Sequence, residues 1–204
     1  MSFTPSDAEK KEMLAEHFPY EFEMMVDALR SLPSSPGFEQ SRHLETIVFH
    51  ARGLIYFFGD KSTNPNFQKD SNAKDFMKVG ETWTEEADLD LAKRTNLKLV
   101  KDRGSKELAH LTYERVPSKT VKTTWNLLGI VAEMLDVVKD FRGKCKEEYI
   151  TKRFTNVVSD ADALVKAIQE ALSKSPKGGY SWSYIVTSGT SVGWVSTTLT
   201  GSGT

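Results

Sequence analysis

The chain has 204 residues, 39% hydrophobic and 27% charged, the size and mix of one soluble globular domain with a sizeable core. Its 27 basic and 28 acidic side chains leave a net charge of −1, which argues against a general nucleic-acid or membrane coat, because such partners select a basic excess. A single cysteine, Cys145, excludes an internal disulfide framework and a cysteine-built structural zinc site.

In chain order, Ser6 and Asp7 offer an N-cap for a helix to about His17, which Pro19 then restarts or kinks. Met25, Val26 and Leu29 carry the apolar stripe to a Pro- and Ser-rich loop at 32–37. The clearest helix runs from about Phe38 to Phe58, where Leu44, Ile47, Val48, Ala51, Leu54, Ile55 and Phe58 recur at helical spacing. Gly59 to Gly80 reads as a loop with a short turn near Ala73 to Met77. Thr82 and Glu85 have capping-box spacing, predicting a helix toward Val100 that Gly104 interrupts. The pattern resumes from Ser105 until Val116, before Pro117. A long helix from about Thr120 to Phe141 is apolar on most faces, as expected of a central bundle helix. Arg142, Gly143 and Lys144 turn the chain into a last helix, about Lys146 to Ser173, with a second cap and potential break at Ser159-Asp160.

These elements predict an all-α antiparallel bundle of about five helices over residues 1–177. Residues 178–204 form a separate neutral segment: its 27 residues hold no charge, six glycines and two of the four tryptophans. Strand propensity at 184–187 and 193–196, with a turn at Ser188-Gly189, leaves two readings, a docked extended segment or hairpin, and a disordered tail. No apolar run reaches the roughly 18 residues of a membrane helix, and the first apolar residues are broken by charges from Asp7 to Glu12. The expectation is a cytoplasmic protein with no membrane partner.

The sequence has no glycine-rich phosphate loop and no HExxH zinc motif. His17, His43, His50 and His110 lack metal-cluster spacing, so no cofactor or metal is expected. His43 reads as a solvated helix residue. His50 and Arg52 project about 200° apart on one helix. Each needs a partner if half-buried, which points to a structural network between helices. Arg103 and His110 are seven residues apart, two helical turns off by only about 20°, with Glu107 and Tyr113 near the same face. Such an Arg and His suit metal-independent RNA cleavage. The His would move the 2′-hydroxyl or leaving-group proton, and the Arg would steady phosphoryl charge. A surface Arg and a capping or core His is the structural alternative.

The stretch from Phe49 to Phe58 (FHARGLIYFF) and that from Lys106 to Tyr113 (KELAHLTY) resemble a group of uncharacterised bacterial helical proteins. Those carry HARNLIxFF-like and KEIAHLTY-like motifs in the same order. The Arg-(x6)-His element and the bundle also resemble the HEPN superfamily. That resemblance implies a homodimeric, metal-independent endoribonuclease with Arg103 and His110 catalytic and RNA as substrate. This chain departs from the usual form at Gly104, where a polar residue commonly follows the arginine. The departure leaves a second expectation, a non-catalytic binding or regulatory module with a protein or small-ligand partner, in which His50, Arg52 and His110 fix the bundle.

Overall fold

The computed structural model describes residues 5–35, 37–59, 70–104, 125–174, 180–185 and 193–198, the last two stretches as backbone. Among the described residues, six α-helices make an all-α antiparallel bundle, with α1 and α2 joined end to end so that five rods result. Helix α1 (Asp7–Glu12) opens on a capping box: Ser6 Oγ accepts from the Glu9 N–H, and the Glu9 carboxylate accepts from the Ser6 N–H at 2.7 Å. A wide π turn, Met13–His17, then leads into α2 (Phe18–Ser31). The expected restart at Pro19 is therefore a continuous rod. Proline lacks an N–H and would strike the carbonyl four residues back in a regular helix. Here Phe18 N–H reaches the Met13 carbonyl, five residues back, and this widened turn absorbs the proline.

A short 3-10 turn, Leu32–Ser34, folds the chain into α3 (Gly37–Phe58), an antiparallel neighbour of α2. All seven residues of its predicted stripe are buried. The turn expected near Ala73 is present as Ala73–Phe76, capped by Asn72. The next cap falls two residues later than the spacing of Thr82 and Glu85 predicts. Thr84 Oγ1 accepts from Ala87 N–H, and the Asp88 carboxylate accepts from Thr84 N–H at 2.8 Å. The element it caps is a single π turn, Glu85–Leu89, not a helix to Val100. Asp90, at φ 40°, takes the left-handed conformation and ends it.

Helix α4 (Thr95–Gly104) then starts separately, and Gly104 is its last described residue. Its first turn is capped by a residue of another helix: Glu133 accepts from Asn96 N–H (3.3 Å), Asn96 Nδ2 (2.5 Å) and Leu97 N–H (3.0 Å). Helix α5 (Leu127–Lys144) is capped by Asn126, so Trp125 and Asn126 precede the helix predicted to include them. It also runs through the turn expected at Arg142 to Lys144. The chain turns instead at Cys145, whose backbone bridges Met77. Helix α6 (Lys152–Lys174) comes after a 3-10 turn, Glu147–Tyr149, with Thr151 Oγ1 accepting from Phe154 N–H. The helix predicted from Lys146 thus starts later, and it is unbroken at Ser159-Asp160.

Phe141 centres the core, with its ring centre within 6.4 Å of those of Phe18, Phe57, Phe58, Phe76, Trp83 and Phe154. Beyond the bundle, Tyr180–Ile185 and Gly193–Thr198 pair as an antiparallel ribbon, Tyr180 opposite Thr198 and Ile185 opposite Gly193. The helix expected over 105–116 and the turn at Ser188-Gly189 lie outside the described residues. Among the described residues, no helix is long and apolar enough to cross a membrane.

Candidate functional site

Helix α3 places its polar residues by the same periodicity that buries its stripe. His50 sits at the stripe's edge, only 8% exposed. Its Nδ1 lies 2.7 Å from Glu21 Oε2 on α2. A carboxylate only accepts, so Nδ1–H donates, and in the neutral ring Nε2 then carries the lone pair. Two rings fix the imidazole edge-on: Tyr20 at 5.9 Å and Phe49 at 5.4 Å between centres. Sequence spacing does not single out Glu21 as the partner. The one signal is indirect: a buried histidine at that edge requires an acceptor from the facing helix.

Arg52 points elsewhere, as the 200° separation requires. Its guanidinium carbon lies 5.1 Å from the centre of the Tyr56 ring, a cation–π contact within one helix. Its Nε is buried with no hydrogen-bond partner among the described residues. The fold therefore places His50 and Arg52 in two environments rather than one constellation.

Arg103 is half-buried on α4 and has an interaction partner. His110, Glu107 and Tyr113 lie outside the described residues, and with them the predicted Arg103–His110 pair. Gly104 has a clear structural role. It is buried where α4 crosses α3, and a β-carbon there would stand 3.2 Å from Val48 Cγ1. Its small size serves a close helix approach.

Two cavities flank this part of α3. One, of about 340 Å³, is lined by Arg42, Glu45, Phe49, His50 and Arg52, with Val48 and Gly104 also on its wall. The other, of about 640 Å³, lies between the π turn and α3, bounded by Met13, His17, Phe18, Leu54, Tyr56 and Phe57 among others. Phe49 and Arg52 line both.

The remaining histidine and thiol are accounted for by packing. His43 is half-buried with Nε2 2.9 Å from Ser35 Oγ, which corrects its reading as a solvated residue. Cys145 is fully buried, and burial pushes its thiol up to about 12, so it stays protonated and unreactive. Among the described residues, no group of three histidine, cysteine or acidic side chains is placed to hold a metal.

No family model matches this chain, and neither does a curated protein or a solved structure.

Proposed function

We propose that this chain is a non-catalytic helical binding or regulatory module whose His50 is structural and whose cavities beside α3 are the binding face. The observation that carries this is the His50–Glu21 pair. The imidazole is buried, held at 2.7 Å by a carboxylate of the neighbouring helix and boxed by two rings. That arrangement fixes α3 against α2 and commits one ring nitrogen to packing. On this reading the protein is cytoplasmic and its partner is a small ligand or a protein.

A second reading has its own observation. Gly104, the residue after Arg103, stands on the wall of the cavity that His50 and Arg52 also line. The end of α4 thus reaches the same face, and a HEPN-like homodimer would add His110 there for metal-independent RNA cleavage, with Glu107 and Tyr113 in support.

One assay decides between them: RNA incubated with EDTA and wild type, Arg103→Ala or His110→Ala. The module reading expects the same background from all three proteins. Cleavage by wild type that is lost in both variants would overturn it in favour of the nuclease.

A further inference from the structure

We propose that the cavity between the π turn and α3 binds a small apolar monocarboxylic acid, its carboxylate on the Arg52 guanidinium and its apolar body against Met13, Phe18, Leu54 and Phe57. The proposal rests on the binding-module reading and names its ligand class.

The cavity owes its existence to local sequence. Pro19 forces the wide turn at Met13–His17, and residues of that turn, Met13 and His17, stand on the cavity wall. Wide turns of this kind are frequent at functional sites because they displace a stretch of helix wall. Across from it, α3 contributes Arg52, Leu54 and Phe57. At about 640 Å³ the space falls in the range of small-molecule sites, which are apolar with a few placed polar groups.

Arg52 is the placed group. Arg30, Arg94 and Arg153 each sit in carboxylate pairs, at Asp27 and Asp160, at Asp140, and at Glu16 and Glu23. Arg52 has no carboxylate partner among the described residues, and its buried Nε–H has no acceptor. Arg52 as a whole is half-buried and lines the cavity, where a carboxylate can meet it. The guanidinium lies over the Tyr56 ring, and such a fork meets a carboxylate with two parallel hydrogen bonds.

The acidic groups on the wall have interactions of their own. Glu21 is already engaged by His50, and Asp70 also has a partner. With both carboxylates engaged elsewhere, Arg52 is left to meet a ligand's carboxylate. The apolar remainder of the wall then selects an aliphatic or aromatic body.

The test is calorimetric titration of the full chain with octanoate and with octanamide, which shares the chain and lacks the charge. Wild type is expected to bind octanoate one to one and octanamide about tenfold or more weakly, as befits loss of a charge-assisted contact. Arg52→Gln is expected to erase that preference with its melting temperature checked alongside. Equal binding of the two probes by wild type, no octanoate binding up to about 1 mM, or an unchanged preference in R52Q would overturn the proposal. Because wild type alone can overturn it, a misfolded variant does not protect it. RNA cleavage decides the module reading separately, so the two failures are distinguishable.

Discussion

Two regions of this bundle treat polar groups in opposite ways. Around Phe141 and the 77–94 loop, Asp88, Trp83 and Glu133 all have partners. Asp88 takes Lys144 at 2.5 Å and Thr84 N–H at 2.8 Å, Trp83 Nε1 donates to the Phe58 carbonyl at 2.9 Å, and Glu133 caps α4. Around the outer half of α3, Arg52 keeps a buried donor unanswered, two cavities adjoin, and Phe49 stands 63% exposed. The first arrangement is what stability requires. The second sacrifices some stability and is what a binding face requires. Substitutions should therefore separate the regions by the size of their effect on folding.

The largest effect is expected at Phe141, fully buried among six aromatic rings. Phe141→Ala should cost about 3–5 kcal/mol in urea unfolding, from lost transfer energy plus the cavity left behind. A loss near 1 kcal/mol would mean the cluster collapses around the gap, and the contrast between the regions would weaken.

Next comes the α4 cap. Glu133→Ala strands two backbone N–H groups and the Asn96 amide, for an expected loss of about 2–3 kcal/mol. Gly129→Ala attacks the same cap from the other side, since a β-carbon would stand 2.4 Å from Asn126 Nδ2 and 2.7 Å from Asn96 Nδ2. That crowding should cost about 1–3 kcal/mol. The two changes share Asn96, so their double variant should lose less than the sum. Strict additivity would show that Asn96 does not couple them.

At the border of the regions, His50→Ala should cost about 1 kcal/mol. Glu21 is one-third exposed, so water answers it once the imidazole is gone. A loss above about 3 kcal/mol would move His50 into the packed region.

The acid limb gives a smaller, graded effect. Asp162 is held below the ordinary carboxylate value of 3.8 by hydrogen bonds from Lys139 and Lys166, and Asp7 by the Tyr149 hydroxyl. A depressed carboxylate stabilises the fold above its unfolded value, and that stability is lost as pH falls through the folded one. Stability should therefore hold down to about pH 4 and decline below it. Asp7→Asn and Asp162→Asn should each flatten that decline. An unchanged acid limb in the double variant would show these surface pairs contribute nothing.

The same contrast explains which features are legible in the sequence. The α3 stripe is legible because one face of one helix carries its own periodicity, and the His50–Arg52 separation comes with it. The cap of the 85–89 turn is not, because Thr82 and Thr84 both have acidic residues at cap-like spacing and only packing chooses between them. Nor is the α5 end, where Gly143 reads as a turn yet is tolerated in the last turn of a helix that Phe141 anchors. Cys145 then turns the chain. Glu21 and His50 are 29 residues apart and Glu133 and Leu97 are 36 apart. Such pairs are set by how helices face each other, which local spacing does not encode.

The smallest effect is expected at Phe49, and it is the sharpest test of the border. Its ring packs edge-on against His50 at 5.4 Å but is 63% exposed, so truncation removes one aromatic contact and little buried area. Phe49→Ser should leave stability within about 0.5 kcal/mol of wild type. Because Phe49 lines both cavities, the same change removes part of the wall of each. A melting shift beyond about 4 °C would show that the ring props His50 and α3 in place. The outer half of α3 would then belong to the packed region, and the proposed binding face would shrink to the wall around Arg52.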